Sequence, residues 1–216
     1  MDTSTKPEET GADENPTHTS WVLWYHNPVD KKWDLGSYTK VYEFSNLADF
    51  WRLTHNWDSC LPQVSDGMFF LMRRLSNGNY INPLWEDKYN RNGGFWSFKI
   101  AKDEAVKVWH ELSVHLIAER LCQYTSDTMM VNGISISPKR NFCIIKIWNN
   151  DFHKSDVALL NPKIERIDMT ECMYKCHNDN IANDQQKMKR ITSKANGSRS
   201  ERTGKHGTFA RKRGRS

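Results

Sequence analysis

No stretch of the 216-residue chain approaches the roughly 18 uncharged apolar residues that a membrane span requires, so a spanning helix is excluded. The opening residues, MDTSTKPEETGADENP, are acidic and contain no apolar core, so no secretory leader is expected there. Cysteine is scarce: five residues, at 60, 122, 143, 172 and 176, form an odd and irregular set that makes no disulfide framework. Cys172-x3-Cys176-His177 has a metal-like look, but no second ligand pair follows at zinc spacing. The chain also lacks GxSxG, P-loop and GxGxxG motifs. These absences leave a soluble, reduced, cytoplasmic protein that needs no cofactor and catalyses nothing. A small-molecule enzyme remains the rival from another class.

Aromatic side chains are plentiful: nine Trp, nine Phe and seven Tyr in a chain that is 38% hydrophobic. That length supports one core of roughly 150–200 residues. The net charge of +5 is unevenly spread. Residues 187–216 hold eleven Lys/Arg against one Glu, and residues 1–16 hold five acids against one base. The segment between them carries 19 bases and 20 acids, so the basic character belongs to the tail. The composition predicts a disordered acidic segment at 1–16, a compact domain at 17–180 and a disordered basic tail at 187–216. The tail reads equally well as a phosphate-seeking arm or as a solvated appendage.

Strand patterns fall at 21–25, 38–44, 68–73, 95–100, 133–137 and 142–148, and Asn77-Gly78 signals a tight turn. Helical periodicity marks three segments. One runs 45–56 with a cap at Ser45, another 102–124, and the third 155–168 with Pro162 in its middle. Strands joined mostly by short connections, with few helices, predict an α+β fold: one antiparallel sheet covered by about three helices on one face. The other sheet face is left to present something.

Trp21, Trp24, Trp51, Trp96 and Trp109 occupy periodic positions and read as core. Trp33 and Trp85 lie in polar stretches, DKKWDLG and NPLWEDK, where an indole either caps a core edge or serves as a stacking platform. Glu86 follows Trp85 directly. A carboxylate accepts only, which suits the paired N1–H and N2–H donors of guanine and has no counterpart on adenine. Glu86 and Asp87 could equally be solvated loop charges.

The succession Trp21-x-x-Trp24, Trp33, Asp49-Phe50-Trp51, Leu84-Trp85-Glu86-Asp87, Gly93-Gly94-Phe95-Trp96 and Ile145-Lys146-Ile147-Trp148 resembles the eukaryotic translation initiation factor 4E family, from about His18 to Lys175. The resemblance implies a curved antiparallel sheet with helices on its convex face. On the concave side the 7-methylguanosine cap of messenger RNA would lie between Trp33 and Trp85. Glu86 would accept from the guanine edge, the Trp85 backbone N–H would meet O6, and Trp148 would lie against the N7 methyl group. Methylation makes the base cationic, which strengthens its attraction to both indole faces.

The phosphate side departs from the family pattern. Lys139 stands where Arg is usual, Ile144 where Lys is usual, and Phe95 where Arg is usual. Strand alternation offers Lys146 as a partial substitute, with Lys139 and Arg140 in the preceding turn. On the convex face the resemblance implies docking of a Tyr-x4-Leu-hydrophobic helix from a scaffold initiation factor or a repressor protein. Trp51, Leu47 and His110 would meet that helix, His110 replacing a usual Leu. The implied function is recruitment of capped messenger to translation. A cap-binding repressor or storage form, and an adaptor that has lost the cap, are the alternatives.

Overall fold

A computed structural model describes residues 15–186 and 189–190. The segments expected to be disordered lie almost wholly outside the described residues. The chain divides into two units, 1–178 and 179–216, and the described residues of the second are helical. The first unit carries the sheet and every candidate site residue.

Its seven strands are β1 (Pro16–His26), β2 (Tyr38–Asn46), β3 (Met68–Arg74), β4 (Gly94–Ala101), β5 (Val131–Pro138), β6 (Phe142–Asn149) and β7 (Met173–Cys176). They form one antiparallel sheet in the order β2-β1-β3-β5-β6-β4-β7. Three helices, α1 (Leu47–His55), α2 (Trp57–Cys60) and α3 (Ala105–Ile117), contribute to the core on one face. The α+β architecture read from the sequence is therefore correct.

Side chains alternate across each strand, so each strand feeds two clusters. Trp21 and Leu23 of β1, Phe69 and Leu71 of β3, Trp96 and Phe98 of β4, and Ile145 and Ile147 of β6 pack with the helices on the convex face. Each such fully buried side chain contributes about 1.5–3 kcal/mol. The intervening residues, including Val22, Trp24, Phe70, Met72, Phe95 and Trp148, form a second cluster on the opposite, concave face. That second cluster is unusual for a sheet face without helices, and it supports the loops that carry Trp33 and Trp85.

Several boundaries differ from the sequence reading. The α1 cap is Asn46, whose side chain accepts from the Asp49 amide at 2.8 Å, while Ser45 remains in β2. The long helix expected over 102–124 is a 3₁₀ turn at 102–104 followed by α3, and a left-handed Glu119 (φ 54°) lies just beyond its end. No α-helix forms over 155–168. Asp156 caps a single 3₁₀ turn, Val157–Leu159, and Pro162 has no N–H with which to continue. Leu160, Ile164 and Ile167 are buried all the same: Leu160 bridges to Cys122, and the irregular chain that follows, with a turn at 162–163 and a bend at 166–167, lays the other two on the core. The four-residue β7 had too short a pattern to be read. At the other end β1 begins at Pro16, one residue before the expected domain edge.

Candidate functional site on the concave face

Trp33 lies in the loop between β1 and β2 and is 54% exposed, so it does not cap a core edge. Its indole stacks on the imidazole of His26, with centroids 4.3 Å apart and planes 2° from parallel. Tyr38, the first residue of β2, closes in at 6.5 Å from Trp33 and 4.8 Å from His26. Burial pushes the Tyr38 hydroxyl far up, and the nearby Glu86 carboxylate adds to the shift. Tyr38 therefore marks where the Trp33 loop and the Glu86 loop approach the same site.

The loop carrying Trp85 is held by Asp87 and Asn90. Asp87 accepts from the Asn82 side chain at 2.8 Å and from the Tyr89 amide at 2.9 Å. Asn90 donates to the Asn82 and Leu84 carbonyls at 2.8 Å, and Asn132 of β5 donates to Asn90 Oδ1 at 2.8 Å. Asp87 is therefore a structural staple and not a solvated charge. Glu86 remains exposed, without an ion-pair partner among the described residues. Trp85 is half-buried, packed against the concave cluster.

Lys146 Nζ lies 5.7 Å from the Trp85 ring centroid and 4.1 Å from that of Phe95. Burial, with Lys139 and Lys175 nearby, pushes the Lys146 ammonium down to about 8. Lys175 was not singled out from the sequence because β7 was not read. Its register partner is Phe95, which places it on the concave face. Lys139 and Lys175 are thus the charged neighbours that Lys146 feels, and no carboxylate is salt-bridged to any of the three among the described residues. Arg140 is exposed in the β5–β6 turn and is not among the groups that perturb Lys146. Ile144 shares the Lys146 face and adds no charge.

Trp148 is 2% exposed. Its Nε1 donates to Ser135 Oγ at 2.9 Å, and Phe70, Phe95 and His177 surround it at 6.1, 6.2 and 4.8 Å. Trp148 is thus the floor of this face, nearly all of it already covered. His177 is fully buried and held neutral, pushed down to about 3 by burial and by Lys146.

On the convex face, Leu47 and Trp51 lie one turn apart on α1, and Trp51 is 40% exposed. This corrects the pattern-based placement of Trp51 in the core. His110 of α3 lies 5.6 Å from Trp51 and His55 lies 6.0 Å from it, so an exposed indole stands between two imidazoles. Beside them is a cavity of about 220 Å³ lined by Phe50, Leu53, Trp57, Val106, Trp109 and His110. Among the described residues, no cluster of His, Cys, Asp or Glu could hold a metal, and no helix is long and apolar enough to cross a membrane.

Residues 16–192 match the model of the eukaryotic initiation factor 4E family. Eukaryotic translation initiation factor 4E of Saccharomyces cerevisiae is 26% identical over 159 residues, 71% of this chain and 70% of that protein. Two solved structures share the fold. One is Ascaris suum eIF4E-3 with m7G cap, with TM-score 0.54 and 23% identity over 65% of this chain and 76% of that one. The other is Caenorhabditis elegans eIF4E-3 with the 4E-binding protein Mextli and cap analog, with TM-score 0.63 and 23% identity over 78% of this chain and 95% of that one. With the sheet order, the exposed Trp33 and the Trp85–Glu86 loop already in view, the match over most of its length establishes that this chain belongs to the eukaryotic initiation factor 4E family.

Proposed function

We propose that this protein binds the 7-methylguanosine cap of messenger RNA on its concave face and links capped messenger to translation initiation through a helix docked on its convex face. One observation carries the reading. The concave face combines two loop indoles, a carboxylate without an ion-pair partner and three lysines without counter-charge. A cationic purine with paired N–H donors and an anionic phosphate chain supplies the complement of each.

In this reading Trp33 and Trp85 take the base between them, each stack being worth about 1–3 kcal/mol. The cationic ring adds a cation–π term of about 0.5–2 kcal/mol. Glu86 accepts from N1–H and N2–H, and the Trp85 backbone N–H meets O6. Trp148 is the floor toward which the N7 methyl group points, and Lys139, Lys146 and Lys175 take the phosphates. Arg140 contributes at most at long range. The binding involves no covalent chemistry, and its setting is the cytoplasm.

Leu47, Trp51 and His110 form the docking patch for a Tyr-x4-Leu-hydrophobic helix of a scaffold factor or repressor. The support is the exposure of Leu47 and Trp51 with half-buried His110 beside them, together with the solved Caenorhabditis relative that holds a 4E-binding protein. His110, where the family has Leu, favours a second reading as a repressor or storage form with a different partner.

The test is a tryptophan-fluorescence titration of the protein with 7-methyl-GTP, with GTP alongside. Saturable quenching by the methylated nucleotide alone supports cap binding, and partner capture then separates activator from repressor. Equal or absent responses make the convex patch the functional site, as in an adaptor that has lost the cap.

A further inference from the structure

An exposed loop indole has no intrinsic reason to hold one plane, since its rotamers and its backbone are both free to move. Trp33 nevertheless lies parallel to a ring beneath it. The alternation of β1 aims Val22, Trp24 and His26 at the concave face, and His26, the last residue of the strand, is fully buried. Its Nε2 lies 2.8 Å from the carbonyl oxygen of Lys32, the residue immediately before Trp33. A carbonyl only accepts, so Nε2 carries the proton in this contact. Nδ1 has no hydrogen-bond partner among the described residues. One side chain thus anchors the backbone before Trp33 and sets the plane of its indole.

We propose that His26 is the positioning residue of the stacking site: it holds the plane of Trp33 and leaves the outer indole face open to the purine. This rests on Trp33 being a stacking partner of the cap. The physical reason is pre-organisation: with a ring stacked 4.3 Å beneath one face of Trp33 and the backbone before it tied to the same side chain, the base meets an indole whose rotamer and loop freedom is already spent.

The groups around His26 are few. β2 presents Tyr38, with Glu86 beyond it, and β3 presents Met68 as the strand partner. The loop itself carries Asp30, Lys31, Lys32 and Asp34, with Asp30 bonded to the Lys32 amide at 2.9 Å.

The experiment is calorimetric titration of the full chain with 7-methyl-GTP at pH 7.5, for the wild type, His26→Ala and His26→Phe. His26→Ala should lose roughly tenfold in affinity at pH 7.5, as expected for removing an aromatic platform. His26→Phe, which restores a ring, should recover part of that loss. A thermal melt shows whether each variant is folded, and the Phe variant keeps the test decisive if the Ala variant is not. Equal affinity of His26→Ala and wild type overturns the proposal, and so does a His26→Phe variant that binds no better than His26→Ala. Failure of the wild type itself to bind overturns the cap reading and, with it, the role given to His26.

Discussion

Replacing Lys146 with Met should weaken binding of a cap triphosphate while stabilising the free protein. The two effects have opposite signs because the ammonium is held where only an anion makes it comfortable. Lys146 lies over Phe95 at 4.1 Å, is half-buried, and has Lys139 and Lys175 as its charged neighbours. A hydrogen bond between a charged donor and phosphate is worth about 1.5–3 kcal/mol, or roughly 10- to 150-fold in Kd. Met keeps the aliphatic stem against Phe95, so packing is largely conserved. The pH dependence follows from the folded value of about 8 against the ordinary 10.5. Between those values the unfolded chain binds more protons, so the wild type gains stability as pH rises from about 8 to 10.5. Its slope exceeds that of Lys146→Met by at most about 1.4 kcal/mol per pH unit. The assays are denaturant melts at pH 7 to 10.5 and titrations with 7-methyl-GTP and with 7-methylguanosine. Triphosphate affinity should drop and nucleoside affinity should hold. An equal loss for the nucleoside, or a variant less stable than the wild type at pH 7, would refute the reasoning.

Three further outcomes can be checked independently. Glu86→Gln turns one acceptor into a donor facing guanine N–H groups and should reduce cap affinity by about 1–3 kcal/mol, measured by fluorescence titration; unchanged affinity would remove Glu86 from the site. Trp51→Ala should leave 7-methyl-GTP binding intact and abolish binding of a Tyr-x4-Leu-hydrophobic peptide, read by fluorescence anisotropy; retained peptide binding would move the docking patch elsewhere. Glu119→Ala should destabilise the fold by about 3–5 kcal/mol in a urea melt, because it strands the 1%-exposed Arg73, which Glu119 pairs in a two-bond contact; a loss below about 1 kcal/mol would show that the Thr19 and Val131 bonds to Arg73 suffice.

Much of this protein is written in local sequence, and the rest is contributed from a distance. Period-two alternation located six of the seven strands, since each has a face to bury and each face repeats every second residue. The indoles in polar loops and the Trp85–Glu86 pair were legible for the opposite reason: large aromatic or paired polar groups where no core periodicity explains them. Tertiary packing overrode local preference elsewhere. The apolar repeat at Val157, Leu160, Ile164 and Ile167 mimics a helix, yet the segment is one 3₁₀ turn followed by irregular chain, because Pro162 interrupts the helical ladder and the core accepts those side chains without one. Trp51 has the same helical spacing as a core residue, yet the fold leaves it 40% exposed, with His110 of α3 5.6 Å away. The sequence by itself determined the sheet, its two unlike faces and the residue types offered to a ligand. Only the tertiary structure decided that His26 lies under Trp33, that Lys175 joins Lys139 and Lys146, and that Trp148 is a covered floor. These bring together residues 7 to 29 positions apart, whose distances depend on strand register and loop path and on no local pattern.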